Sequence, residues 1–307
     1  MTLQKYLKEL SDERKPLRIS DLLQLSSLSS EELAEFKEEW ASLSSDRKCE
    51  TLLRLVELSE ENLELDFSAV FHTCLFDDED QVRETATRGL WECSDRVVIR
   101  PMVNLLVGDP SDDVRAAAAI SLGKFAERAQ DGKVLPRDAK LVRQALLSTI
   151  SDELADFETK RRSIEAIANF GSEEIEEIIR DAYESDDARL KQSAIYAMGR
   201  TSDSQWLPVV LEDARHDDPA IRYEAATAIG LLGDEMTMPY LISLVKDDDS
   251  LVQLSAVHAL GTIGGPLAKR ALLQCLQLGD EALEEAAQSA LNNVEFDEDP
   301  LGFTFQS

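Results

Sequence analysis

The sequence predicts an all-α fold, an α-solenoid of about eight stacked helix pairs. A phrase that opens with paired aspartates recurs along the chain, and its last four copies are spaced 31 residues apart. The central alanines of the copies are Ala86, Ala118, Ala166, Ala194, Ala225, Ala256 and Ala287. Only 13 glycines and 9 prolines leave little room for irregular structure. A nearly constant period of this length indicates stacked supersecondary units rather than one closed globule.

Three segments are predicted along the chain. Residues 1–30 form an N-terminal arm with a short helix, and residues 31–294 form the solenoid. Residues 295–307 form a tail in which acidic and aromatic residues alternate. This tail has the composition of a short docking motif as well as that of a disordered end, and both alternatives stay open.

The copy around Ala225 shows how one unit is built. Asp218 is predicted to cap the helix by accepting hydrogen bonds from its first amides. Pro219 then occupies the first helical position, where its missing N–H costs nothing. Gly230 and Gly233 are predicted to let the chain leave the helix. Because the apolar segment MTMPYLISLVK begins another helix directly afterwards, the unit is helix, turn, helix.

Two further features of the repeat concern packing between units. A basic residue, as in Arg83, Lys191 and Arg222, precedes the central alanine by three positions. The acids near it can pair with it inside the helix or in a ladder between repeats. The interval from Ala118 to Ala166 is 48 residues and contains AERAQDGKVLPRDAK, which predicts an elongated loop or helix that interrupts the stack.

The residues that carry this pattern resemble HEAT repeats, in the bacterial subgroup named after phycobilisome lyases. The shared marks are the Asp-Asp opening, the Val/Ile/Leu-Arg step, the central Ala and the Leu-Gly ending. The resemblance covers roughly residues 31 to 294. It implies a right-handed superhelix in which the alanine-bearing helix of each pair lines the concave side.

Charge and composition exclude several classes of partner. The formal net charge is -29, whereas binding to a nucleic-acid backbone or to anionic lipid requires a basic surface. No apolar run approaches the length of a membrane span, and the N-terminus lacks the apolar core of a secretory signal. Four cysteines occur without a CxxC pair. Together these features predict reduced thiols, a cytoplasmic location, no nucleic acid and no membrane.

The sequence carries no catalytic signature, so the chain is predicted not to be an enzyme. It lacks phosphate-binding glycine motifs and the clustered Cys and His of a zinc site, so no cofactor and no metal are expected. The HEAT-repeat hydroxylases that modify lysine carry repeated His-Glu pairs. None of His72, His216 and His258 is followed by Glu.

Positions two before and two after each central alanine are predicted to line the concave face. They lie one helical turn apart and off the apolar stripe, and they are less acidic than the chain as a whole. Tyr, Trp and Arg are the residue types that most often anchor protein interfaces. The predicted protein-binding residues, which include neighbours one turn further along, are Arg88, Trp91, Lys124, Tyr196, Arg200, Tyr223, Thr227, Leu254 and His258.

Three functions remain open from the sequence. The leading prediction is a non-catalytic scaffold that binds a protein or peptide in the concave groove, with a basic partner surface matching the acidity. The second rests on the resemblance alone and is a lyase-like role that attaches or removes a bilin chromophore. The third is an assembly subunit that acts through its termini.

Overall fold

The computed structural model describes residues 3–12, 14–277 and 279–298, and this part of the chain is helical without strands. The described residues divide into two compact units, unit 1 within residues 1–167 and unit 2 within residues 168–307. None of the described helices is both long and apolar enough to span a membrane.

Unit 1 contains ten α-helices. They are α1 (Leu3–Leu10), α2 (Ile19–Leu22), α3 (Ser30–Trp40), α4 (Ser45–Glu61), α5 (Ser68–Cys74), α6 (Asp80–Gly89), α7 (Ile99–Gly108), α8 (Asp112–Gln130), α9 (Pro136–Ser151) and α10 (Phe157–Ile167). The short helix α1 packs on α3 and buries Leu3, Tyr6, Leu7 and Leu10. The buried Arg47 of α4 donates hydrogen bonds to the carbonyls of Asp12 and Lys15, so the arm is fastened to the first helix pair.

Unit 2 contains four helix pairs of similar design. They are α11 (Glu173–Tyr183) with α12 (Ala188–Arg200), α13 (Leu207–Asp213) with α14 (Pro219–Leu232), α15 (Met238–Leu244) with α16 (Ser250–Ile263), and α17 (Gly265–Cys275) with α18 (Glu281–Glu298). In both units the helix that carries the central alanine packs on its counterpart in the next pair. We call α6, α8, α10, α12, α14, α16 and α18 the alanine helices. Each of their central alanines is buried, as a stacking contact requires.

The predicted caps are present at several helix starts. The Asp218 carboxylate accepts a hydrogen bond from the amide of Ala220, and Pro219 is the first residue of α14. Asp187 and Asp249 cap α12 and α16 in the same way. At α8 the cap is instead Ser111, and Asp112 and Asp113 lie in the first turn, where they oppose the helix dipole.

Two predictions about the repeat were wrong. Gly230 does not end its helix, because α14 continues to Leu232, and only Gly233 lies at the exit. The long interval before Ala166 contains the predicted elongated helix, but it does not interrupt the stack. Its additional residues lengthen α8 and α9, and α8 still packs directly on α10.

In three copies the basic residue pairs with an acid of the following repeat, whereas Arg115 pairs with Asp112 in its own helix. Arg83 forms a bidentate ion pair with Asp109 at 2.7 and 2.8 Å, and Arg222 does so with Asp247 at 2.7 Å for both contacts. Lys191 approaches Asp213 at 3.4 Å. The sequence left open pairing within the helix and pairing between repeats, and these three residues pair between repeats.

A surface of aromatic and polar residues on unit 2

Six of the nine predicted binding residues lie on three neighbouring alanine helices of unit 2. Their positions are two residues before or after the buried central alanine, or one turn further along. A step of two residues turns about 200° around a helix, so these side chains lie away from the side of the helix that carries the central alanine. We call this set the tyrosine surface, and its members are Tyr196, Arg200, Tyr223, Thr227, Leu254 and His258.

Tyr196 and Arg200 form the first part of the tyrosine surface, on α12. The Arg200 guanidinium carbon lies 5.3 Å from the centre of the Tyr196 ring, within the range of a cation–π contact. Both residues are half-buried. This contact restricts both side chains before any partner binds, which lowers the entropy cost of binding.

Tyr223 is held by a hydrogen-bonded junction between α14 and α16. The Ser255 hydroxyl donates to the Tyr223 carbonyl oxygen at 3.0 Å, and the Thr227 hydroxyl lies 2.9 Å from the Ser255 hydroxyl. The Tyr223 side chain itself is 39% exposed. Thr227 therefore serves mainly to fix the backbone, whereas Tyr223 presents its ring to solvent.

His258 lies at the mouth of an open cleft between α16 and α18. The cleft has a volume of about 400 Å³ and is lined by His258, Gly261, Thr262, Ala290, Asn293 and Phe296. Phe296 belongs to the segment predicted as a tail, but it lies on α18, which continues to Glu298. Asn293 and Phe296 were thus missed as site residues, although their spacing of three positions on one helix was a usable signal.

The other three predicted residues lie in unit 1. Arg88 on α6 pairs with Glu84 at 2.6 Å, and Lys124 on α8 pairs with Glu127 at 3.6 Å. Trp91 follows α6 and is 47% exposed. These two cations are partly neutralised by acids one turn away, so among the three Trp91 offers the largest apolar contact area.

The described residues offer contact groups rather than an assembled catalytic site. No three His, Cys, Asp or Glu side chains within the described ranges are grouped as a metal site would need. All four cysteines are free, and burial raises the pKa of each thiol, which disfavours the reactive thiolate.

Stacked helix pairs with buried alanines define the class of protein, an α-solenoid. The family model described as HEAT repeats matches residues 69–155 and 207–292, which together exceed half of the chain. The chain belongs to the HEAT-repeat family, and the resemblance to HEAT repeats seen in the sequence is confirmed.

Solved structures with a similar fold include several solenoids. The complex of CpcE and CpcF of phycocyanin lyase from Nostoc sp. PCC7120 is similar with a TM-score of 0.51 and 13% identity, over 74% of this chain and 94% of that one. The Kap95:Nup1 complex has a TM-score of 0.49 and 15% identity, over 98% and 47%. Human deoxyhypusine hydroxylase in complex with glycerol has a TM-score of 0.33 and 18% identity, over 95% and 96%. At 13% identity the likeness to the complex of CpcE and CpcF extends to the fold alone.

No curated protein sequence matches the chain significantly.

Proposed function

We propose that this HEAT-repeat chain is a non-catalytic scaffold and that the tyrosine surface of unit 2 binds a protein or peptide partner. The observation that carries the proposal is the pre-ordering of two exposed or half-exposed tyrosines. Arg200 restrains Tyr196, and the Thr227–Ser255 junction fixes the backbone of Tyr223. Rigid aromatic side chains of this kind give large contact area at a low entropy cost.

The partner is proposed to carry a basic surface. The chain has 61 acidic against 32 basic residues, so its field attracts cationic proteins and accelerates their encounter. Free cysteines support the expected cytoplasmic location, because reduced thiols persist there.

The test compares a double variant with a matched control. Tyr196→Ala with Tyr223→Ala removes both rings of the tyrosine surface. The control is Tyr240→Ala on α15, since the Arg215 guanidinium lies 5.3 Å from that ring, as Arg200 does from Tyr196. Partners are captured from the native host and quantified by mass spectrometry.

We expect the double variant to lose most of the partner retained by the wild type, because aromatic anchors often contribute 2 kcal/mol or more, about thirtyfold in affinity. The Tyr240 control should retain it. Equal capture by all three proteins would refute the tyrosine surface as the binding site.

The lyase-like alternative keeps only the support of the family resemblance. A bilin chromophore mixed with the purified chain should change its absorbance if the alternative holds, and an unchanged spectrum would remove it. The third alternative concerns the tail, and residues 299–307 lie outside the described residues. Deletion of residues 295–307 tests it, because an unchanged complex size would exclude a role in assembly.

A further inference from the structure

A second surface, with the opposite charge, lies in unit 1. It is an open cleft of about 550 Å³ beside the N-terminal parts of α7 and α9. We call it the arginine cleft, and the residues used below are Arg96, Val97, Arg100, Arg137, Asp138 and Leu141. None of them belongs to the tyrosine surface.

The lining of the cleft has three arginines and one aspartate, and it lies in a long stretch of the sequence where cations outnumber acids. Residues 96–143 contain nine basic and six acidic side chains, whereas the whole chain has nearly two acids for each base. At physiological ionic strength charges act over roughly 8 Å, so a ligand in the cleft experiences this local excess more than the distant acids.

The arginines around the cleft differ in how far they are already neutralised. Arg96 donates two hydrogen bonds to one oxygen of Asp138, at 2.9 and 3.1 Å, and so connects the segment before α7 to the first turn of α9. Arg137 approaches the other oxygen of Asp138 at 3.5 Å. Arg100 is exposed and has no ion pair or hydrogen bond with any described residue. Two of the three guanidinium groups thus retain most of their capacity for an incoming anion.

Apolar groups accompany these cations. Val97 is 54% exposed at the rim, and half-buried Leu141 forms part of the wall. A smaller cleft of about 280 Å³ adjoins it and shares Arg96 and Asp138, with exposed Leu135 as a further lining residue. A ligand with carboxylates alone would leave these apolar surfaces in water.

We propose that the arginine cleft docks an acidic peptide segment of a partner protein. Carboxylates of the segment pair with Arg100 and Arg137, and a neighbouring apolar side chain covers Val97 and Leu141. The apolar wall beside the arginines favours a peptide over a nucleic acid, because Val97 and Leu141 offer contact to an apolar side chain that a phosphate backbone does not carry. A nucleic-acid site would also need an extended basic stripe.

This surface adds a second partner class to the scaffold and does not rest on the tyrosine surface. A chain with both sites connects one partner held on unit 2 with an acidic segment held on unit 1.

The experiment measures fluorescence polarisation of a short labelled peptide in which Asp and Glu flank one Leu and one Phe. The full chain is titrated against it, together with Arg100→Glu/Arg137→Glu. The control is Lys140→Glu, which makes the same charge reversal as each single substitution at an exposed position of α9 outside the cleft lining, and Arg100→Glu and Arg137→Glu are therefore also measured singly. Circular dichroism checks that each variant folds, and the peptide with Asn and Gln in place of its acids is the ligand control.

We expect the double variant to weaken peptide binding about tenfold or more, and Lys140→Glu to weaken it less than about twofold. Binding should also weaken as salt rises from about 0.1 M to about 1 M. Binding unchanged in the double variant, an equal loss in the Lys140 control, or equal binding of the neutral peptide would overturn the proposal. Stronger binding of a single-stranded oligonucleotide in competition with the peptide would overturn it in favour of a nucleic-acid site.

Discussion

The two units stack the same kind of helix in different registers. In unit 2 a glycine of each alanine helix lies against the next alanine helix, at the alanine three positions after the central one. The pairs are Gly199 with Ala228, Gly230 with Ala259 and Gly261 with Ala290. A Cβ on Gly230 would lie 2.8 Å from the Cα of Ala259. In unit 1, Gly123 lies against the central alanine itself, Ala166, with a corresponding distance of 3.3 Å. Three positions are nearly one helical turn.

This difference follows from the spacing of the repeats. A period of 31 residues in unit 2 keeps one register, so its surface varies only through the side chains that stand on it. The interval of 48 residues in unit 1 lengthens α8 and α9, and the start of α9 forms a wall of the arginine cleft. The regular period of unit 2 thus preserves the stacking register, whereas the longer interval of unit 1 supplies a wall of the arginine cleft.

The ion-pair ladder gives the largest expected difference, between the bidentate pair of Arg83 in unit 1 and the single contact of Lys191 in unit 2. Asp109→Asn in unit 1 leaves the charge of Arg83 without its bidentate partner in a nearly buried place, which should cost about 3 kcal/mol. Asp213→Asn in unit 2 removes a longer contact to the partly exposed Lys191 and should cost about 1 kcal/mol. Urea denaturation followed by circular dichroism measures both. A larger loss for Asp213→Asn would contradict this ranking.

The glycine contacts predict a smaller difference in stability between the units, and here the larger loss is expected in unit 2. Gly230→Ala forces a methyl group into the backbone of α16, a cost that exceeds the gain in helix propensity by about 2 kcal/mol. Gly123→Ala meets a looser contact, and the propensity gain should hold its stability within about 1 kcal/mol of the wild type. Thermal unfolding of the two variants tests this, and equal losses would show that the registers do not differ in tightness.

Acid should reveal the smallest effect, at Asp247. The hydrogen bonds from Arg222 hold the pKa of Asp247 below its ordinary value of 3.8. A depressed folded-state pKa stabilises the fold above the unfolded pKa, and this contribution disappears as the pH falls through the folded value. The stability gap between the wild type and Asp247→Asn should be constant from pH 7 to about pH 5 and should narrow as the pH falls below 3.8, the ordinary value. A gap that widens in acid would contradict the assigned direction.

The sequence was sufficient for features that depend on neighbouring residues. Asp218 and Pro219 begin their helix as predicted, since capping and the proline preference act within one turn. Ala225 is buried as predicted, because a small residue in an apolar stripe has few other uses. The tyrosine surface remains a prediction as a binding site, although its residues occupy the expected positions.

Features that depend on contacts between repeats could not be predicted locally. Glycine is a residue type typical of helix ends, so the sequence predicts an end at Gly230. Only the close approach of Gly230 to Ala259 explains why a glycine lies inside the helix. Arg83 and Asp109 are 26 positions apart, and Arg96 meets Asp138 across 42. The excess of cations between residues 96 and 143 can be counted in the sequence. The packing of α7 on α9, which brings several of these cations together, could not be predicted from it.

The central claim is that partners bind on the tyrosine surface. Site-specific photo-crosslinking tests it most directly, with p-benzoylphenylalanine in place of Tyr223 in one protein and of Tyr240 in another, each irradiated in extract of the native host. Both positions replace a tyrosine of unit 2, but only the first lies on the tyrosine surface. The account predicts a discrete crosslinked product from position 223 and none from position 240. A product from position 240 alone would contradict it.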